Sequence, residues 1–339
     1  MNYVGADLHK KTITLCVMDQ HRKVLGRKTL YCAEPHQILE YLEAFRPFQI
    51  VVEATASYLW FVDLVQPLAD RVVLANPSKL RVIAESTKKT DRLDAQTLAE
   101  FLARDMIPEA HQPSTRQRQH RVLIRQRHYL RGRTTSVKNK IRRILSDYNA
   151  DRKNLFTAEL GLTYIQQVPL SDADRFVIEQ LWAEYLYHDR QIRDLSAHIK
   201  MFAAKAPVRE KEAREVLKTI PYVGPVTIEV VVGELGDVQR FPNAKAASAY
   251  SGLVPRVRQT GGKKSKDLSI TKQGSALLRW ALVEAAWRLV GHSERWKQVY
   301  QRIKKHSGAK RAIVAVARKL MCVISAMLKT MTPYKVITP

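Results

Sequence analysis

Apolar residues recur along the chain with two periods, and the change from one to the other separates a β-rich opening from a helical remainder. Residues 3–18 gather β-formers, Tyr3-Val4-Gly5 and then Thr12-Ile13-Thr14-Leu15-Cys16-Val17. Asp19-Gln20-His21 punctuates them before residues 24–31, so a three-stranded meander is expected. Ile38, Leu39, Leu42 and Phe45 form one stripe of a helix over 35–45, and Gln49-Ile50-Val51-Val52-Glu53 is the short apolar run of a covered strand. A helix over 58–68 precedes a strand over 71–75, which Asn76-Pro77 breaks. Leu93, Leu98, Phe101 and Leu102 then return to helical spacing. Three strands, helix, strand, helix, strand, helix is the order of an RNase H-like mixed sheet.

From residue 116 to 143 Leu123, Leu130, Val137 and Ile144 mark every seventh position at or just beyond the run, which predicts one long helix with a single apolar seam. A second seam, Ile178, Leu181, Tyr185, His188, Ile192, Leu195, Ile199 and Phe202, steps by three and four. It fits packing on the first helix or pairing with another protomer, with His188 a tolerated polar position. Residues 216–227 read as a helix end, a tight glycine turn and a new helix, in the form of a helix–hairpin–helix whose turn can present N–H groups to a phosphate. Another helix starts at Ser275, and Ile313, Val316, Leu320, Val323, Ile324 and Leu328 line a core helix over 308–331. The expected plan is α/β plus α: a mixed-sheet domain at 1–110, a basic helical coiled-coil connector at 111–205, and a mainly α-helical domain at 206–339.

Composition narrows the partners. Among 339 residues, 57 Lys and Arg against 32 Asp and Glu give a formal charge of +25 and a pI near 10.1, which places nucleic acid ahead of membrane as the polyanion. A passive, ribosome-like binder fits these figures too. No run of 18 apolar residues occurs and the start reads as a strand rather than a leader, so a cytoplasmic protein is expected. Cys16, Cys32 and Cys322 are too far apart for a disulfide frame or a zinc site. The long basic helix carries Arg116, Arg118, Arg121, Arg125, Arg127, Arg131, Arg133, Lys138, Lys140, Arg142 and Arg143 with no acid among them. Lacking the interspersed acids of a self-compensating helix, the run points to phosphate contact. The Gly-Gly-Lys stretch near residue 262 lacks P-loop spacing.

Four acids carry the candidate chemistry. Asp91 and Asp94 stand one turn apart at a helix start, where capping alone would account for them. Asp7 and Glu53 end two strands that such a sheet sets side by side, facing that helix. Oxygen-only ligands in one cleft suit Mg²⁺ or Mn²⁺, and two such ions can act on a phosphodiester.

The segments GADLHKKT, VVEATASY, ANPSK and KTDRLDAQTLAEF resemble, in order and context, the RuvC-like DEDD domain of the insertion-sequence 110 family transposases, which group with the Piv DNA invertases. Carried over by position, Asp7, Glu53, Asp91 and Asp94 are the metal-binding acids. Residues 251–287 resemble the second domain of those enzymes, which supplies a serine nucleophile. In the frame Gly252-Leu253-Val254-Pro255-Arg256 that position holds Thr260. Threonine keeps the hydroxyl but crowds it; Ser265 or Ser269 taking its place, or an impaired chain, are the alternatives. The resemblance implies a site-specific recombinase that cleaves and rejoins DNA through a covalent protein–DNA link, with Arg256, Arg258, Lys263 and Lys264 adding positive charge at the phosphate. It also implies a structured guide RNA, and the need to act on several strands points to a homo-oligomer, dimer or tetramer. A metal-dependent, junction-resolvase-like nuclease without a covalent intermediate is the rival.

Overall fold

A computed structural model describes residues 1–55, 57–83, 91–157, 161–256, 259–260, 263–264 and 269–335, with backbone alone at 81–83, 91–93, 259–260 and 263–264. These residues divide into two compact units, Met1–Gln112 and Pro113–Pro339.

In the first unit β1 (Asn2–Leu8), β2 (Thr12–Met18) and β3 (Val24–Tyr31) form the expected meander. There follow α1 (Pro35–Glu43), β4 (Phe48–Glu53), α2 (Tyr58–Val65), β5 (Arg71–Ala75), α3 (Pro77–Ile83) and α4 (Asp91–Ala103). Strand order is β3-β2-β1-β4-β5, with β1–β4 and β4–β5 parallel and the meander antiparallel. Side chains alternate across a strand, and both faces are covered. Val4, Ala6, Leu8, Ile50, Val52 and Leu74 share a core with Ile38, Leu42, Phe61 and Val65 of α1 and α2. Val51 and Val73 pack with Leu98 and Leu102 of α4, while Cys16 and Met18 meet Ala95 and Ala99.

The second unit contains α5 (Thr115–Asp147), α6 (Gly161–Gln167), α7 (Asp172–Ala204), α8 (Val208–Lys218) and α9 (Pro225–Leu235). After a 3₁₀ turn come α10 (Ala244–Tyr250), β6 (Gln259–Thr260), β7 (Lys263–Lys264), α11 (Ala276–His292), α12 (Glu294–Ser307) and α13 (Ala309–Thr330). Ser114 and Ser171 cap α5 and α7 by accepting hydrogen bonds from the N–H groups of Gln117 and Asp174. These two long helices pack on each other: Val137, Ile141 and Leu145 meet Ile178, Trp182 and Tyr185. The strict seven-residue seam expected on α5 is corrected here. Leu123 and Ile144 are only half-buried, whereas Ile124, Ile141 and Leu145 are buried, because a straight helix drifts by about 20° per heptad. A second core joins α8–α13 through Leu217, Ile228, Leu278, Leu282, Val316, Leu320 and Ile324. The turn between α8 and α9 differs from its expected form. Its left-handed residue is Tyr222 (φ 63°), while Gly224 has an ordinary φ of −81° and serves as N-cap of α9. Among the described residues no helix is long and apolar enough to cross a membrane.

Candidate functional site

Two local arrangements hold the residues singled out from the sequence, one in each unit. The first lies at the carboxyl ends of β1 and β4. Their parallel register runs through Gly5↔Val51 and Ala6↔Val52, so Asp7 and Glu53 follow as neighbours on adjacent strands with the same facing. That facing is towards α4. A Cβ built on Gly5, two residues before Asp7, would meet Ala95, Leu98 and Ala99, and Val51 packs with Leu98. Farther back along the sheet Tyr3 joins the cluster of Leu98, Phe101 and Leu102, so α4 runs opposite to β1 and its first turn lies towards Asp7. Asp94 is in that turn and half-buried. Asp91 starts the helix, and its side chain lies outside the described residues.

Asp7 is mostly buried, and its Oδ2 lies 3.1 Å from Nε2 of His9, which is exposed. His9 was not singled out from the sequence; its i+2 position in the strand-end segment Asp7-Leu8-His9 was the available signal. Among the described residues no three His, Cys, Asp or Glu side chains stand close enough to hold a metal ion. Asp7, Glu53, Asp91 and Asp94 offer only carboxylate oxygens, the donor type a hard divalent cation takes.

The second arrangement is a hairpin rooted between α10 and α11. Pro255 and Ile270 pair antiparallel, with Thr271 N–H donating to Val254 O at 2.9 Å and Arg256 N–H to Ser269 O at 3.0 Å. Farther out Gln259 pairs with Lys264 and Thr260 with Lys263. Thr260 and Lys263 are thus cross-strand partners with only two residues between them in the chain, which places Thr260 at the narrow end of a β-hairpin. The hydroxyl of Thr260, the side chains of Lys263 and Lys264, and all of Arg258 and Ser265 lie outside the described residues. Arg256 and Ser269 are exposed. Both legs are tied to α11 by Arg279, whose Nη1 donates to Ser251 O at 3.4 Å and to Gly274 O at 3.2 Å. Ser275 caps α11 through a 3.1 Å bond from Leu278 N–H.

The basic helix α5 divides into committed and open positions. Arg116 donates to both carboxylate oxygens of Glu210, at 2.6 and 3.1 Å, and lies over the Phe202 ring. Arg121 donates to the carbonyls of Gly233 and Glu234, and Arg125 grips the buried Glu234 carboxylate at 2.7 and 2.9 Å. Arg127 donates to Ser196, Arg133 to Glu184, Arg142 to the Lys153 carbonyl and Arg118 to Thr115, while Lys138 sits over Phe156 and Tyr185. Arg143 bonds Asp147 but is largely exposed, and Arg131 and Lys140 are exposed. The inference that α5 lacks compensating acids is therefore corrected: Glu184, Glu210 and Glu234 arrive from α7, α8 and α9, which local sequence cannot reveal.

Glu229 of α9 completes this internal network. Arg214 donates to it twice, at 2.8 and 2.9 Å, and His120 Nε2 lies 2.9 Å away. Burial alone would raise its pKa, but His120 and Arg214 outweigh that and hold the carboxyl at about 2.

Residues 4–150 match the DEDD-type family model for insertion-sequence 110 elements, described as "Transposase", and residues 214–301 match the "Transposase IS116/IS110/IS902 family". The chain is similar, at 27% identity over 98% of its length and 91% of the relative's, to a transposase for insertion sequence element IS1111A of Coxiella burnetii. It is similar at 24% identity to a probable family 20 transposase of Pseudomonas aeruginosa, over 99% of each chain. A pilin gene-inverting protein of Moraxella bovis shares 23% identity over 98% of this chain and 97% of its own.

Proposed function

Since the chain belongs to the IS110 family of insertion-sequence transposases, enzymes that act on DNA, we propose that it is a site-specific recombinase in which the hydroxyl of Thr260 attacks a DNA phosphate and an acidic strand-end site binds divalent metal. The observation that carries this reading is the register of β1 and β4, which sets Asp7 beside Glu53 on the face covered by the first turn of α4. We read the five-stranded order, three antiparallel strands followed by two parallel ones, as RNase H-like.

In this reading Asp7, Glu53, Asp91 and Asp94 hold Mg²⁺ or Mn²⁺, which when bound stabilises negative charge on the non-bridging phosphate oxygens. The Thr260 oxygen forms a bond to phosphorus and the bond to one DNA oxygen breaks, leaving a protein–DNA ester and a free DNA hydroxyl. A second hydroxyl reverses the step on a new strand and restores Thr260. Arg256, Arg258, Lys263 and Lys264 supply positive charge around the transferred phosphate. The open cations of α5 contact backbone phosphates of DNA or of a structured guide RNA, and assembly into a dimer or tetramer lets two strand ends be exchanged.

The test is a plasmid recombination assay with the element's flanking DNA, comparing Thr260→Ser, Thr260→Ala and the unaltered chain, with denaturing gels to trap the adduct. Serine is expected to retain or raise activity and alanine to remove both product and adduct. An active alanine variant moves the nucleophile to another residue, and cleavage with no adduct in any variant favours the nuclease alternative. Asp94→Asn is expected to abolish strand breakage while salt-dependent binding persists.

A further inference from the structure

One exposed face of α11 in the second unit takes no part in the hairpin. The residues of α11 that stay outside the core include Trp280, Glu284, Trp287 and Arg288, and the two tryptophans are 41% and 46% exposed. They stand seven residues apart and so share one face of the helix. Tryptophan typically buries 150–250 Å² when it packs, and two held half in water on one face mark a surface built for contact.

Each ring is held by another. Trp280 lies 4.6 Å from the ring of His128 on α5, and Trp287 lies 5.6 Å from Tyr300, which is buried. Burial keeps the His128 pKa below the usual imidazole range, which favours a neutral aromatic neighbour. Side chains so fixed surrender little rotamer freedom on binding. At about 1.5 Å per residue the two tryptophans lie about 10 Å apart along the helix. That is wider than the roughly 3.4 Å rise of stacked bases in one strand of a duplex, so each ring would take a separate, unstacked base.

The surroundings favour a polyanion over an apolar protein face. Arg131 follows His128 by one turn, the exposed Arg288 follows Trp287 by one residue, and Glu284 is the one acid in α11. We propose that Trp280 and Trp287 form a stacking surface for unpaired bases of a nucleic-acid strand, DNA or RNA, whose phosphates these arginines neutralise. The choice of partner rests on the nucleic-acid reading above; the surface is tested by binding alone, apart from recombination.

The full chain is titrated by fluorescence anisotropy with labelled single-stranded DNA, single-stranded RNA and duplex DNA of one mixed sequence. Trp280→Ala and Trp287→Ala are each expected to weaken single-strand binding about tenfold with duplex binding within about twofold. Trp280→Phe retains most of the affinity, and Glu284→Gln tightens it. Whether the DNA or the RNA arm moves more names the strand. Equal weakening on duplex and single strand, or unchanged single-strand affinity in variants whose melting matches the parent, overturns the proposal. Should an alanine variant fail to fold, Trp280→Phe and quenching of the parent's tryptophan fluorescence by the single strand remain decisive, and absence of quenching counts against it. Loss of recombination with single-strand binding intact strikes the transposase mechanism instead.

Discussion

Gly5 shows how one missing side chain positions the acidic site. A Cβ there would overlap the carbonyl oxygen of Ala95 and lie 2.5 Å from the Ala99 nitrogen, so α4 rests directly on β1. Gly5→Ala is expected to push α4 outward, destabilising the first unit by about 1–3 kcal/mol and separating Asp94 from Asp7. Strand cleavage should fall further than thermal stability, and a variant that cleaves normally would disconnect α4 packing from the site. A different residue reports on the second unit. The Glu229 carboxyl sits at about 2 against an ordinary 4.5, so its contribution is complete above 4.5 and disappears as pH falls towards 2, where the unfolded chain takes up the proton first. The loss across that window should be about 2–3 kcal/mol, read as a lower urea midpoint at about pH 3 than at about pH 6. Glu229→Gln should flatten that dependence, and an unchanged slope would show that other carboxyls dominate.

At the scale of elements, the hairpin is held by its root. Gly274 has φ 91°, and a Cβ there would overlap the Tyr250 carbonyl oxygen. Gly274→Ala is therefore expected to displace the hairpin and cut adduct formation by at least about tenfold, a cost near 1.4 kcal/mol in barrier, while duplex binding is kept. A full adduct yield would mean that Thr260 is not placed by this root. The meander, β4, β5 and the helix begun at Ser275 were legible because their signals are local: period two, short apolar runs and a serine cap. Pairing of Asp7 with Glu53 was inferable from strand order alone. What escaped depends on partners distant in sequence. Glu210 and Glu234 silence arginines that look uncompensated on α5, and Trp182 enters the α5–α7 core although the heptad count favoured Leu181. Tyr222, not a glycine, takes the left-handed position of the α8–α9 turn, a backbone disfavoured for a bulky side chain that local sequence does not announce. Trp280 is of the same kind, since only the fold brings His128 of α5 across from it.

For the molecule as a whole, 57 basic residues against 32 acidic ones supply long-range attraction to a polyanion, yet excess charge does not say which cations touch phosphate. On α5 the internal pairs answer part of that question. Arg116, Arg121 and Arg125 spend their donors on α8 and α9, whereas Arg131, Lys140 and Arg143 remain exposed. Each phosphate neutralised releases counterions, so binding falls with salt at a logarithmic slope of about 0.9 per contact. The combined Arg131→Gln, Lys140→Gln and Arg143→Gln variant should therefore lower the slope for duplex DNA by about 2–3 without changing the melting temperature. Arg121→Gln should do the reverse, leaving the slope in place and removing about 1–3 kcal/mol of stability as buried carbonyls lose their donor. A slope untouched by the triple variant would transfer phosphate contact from α5 to the basic residues of the hairpin and of α12.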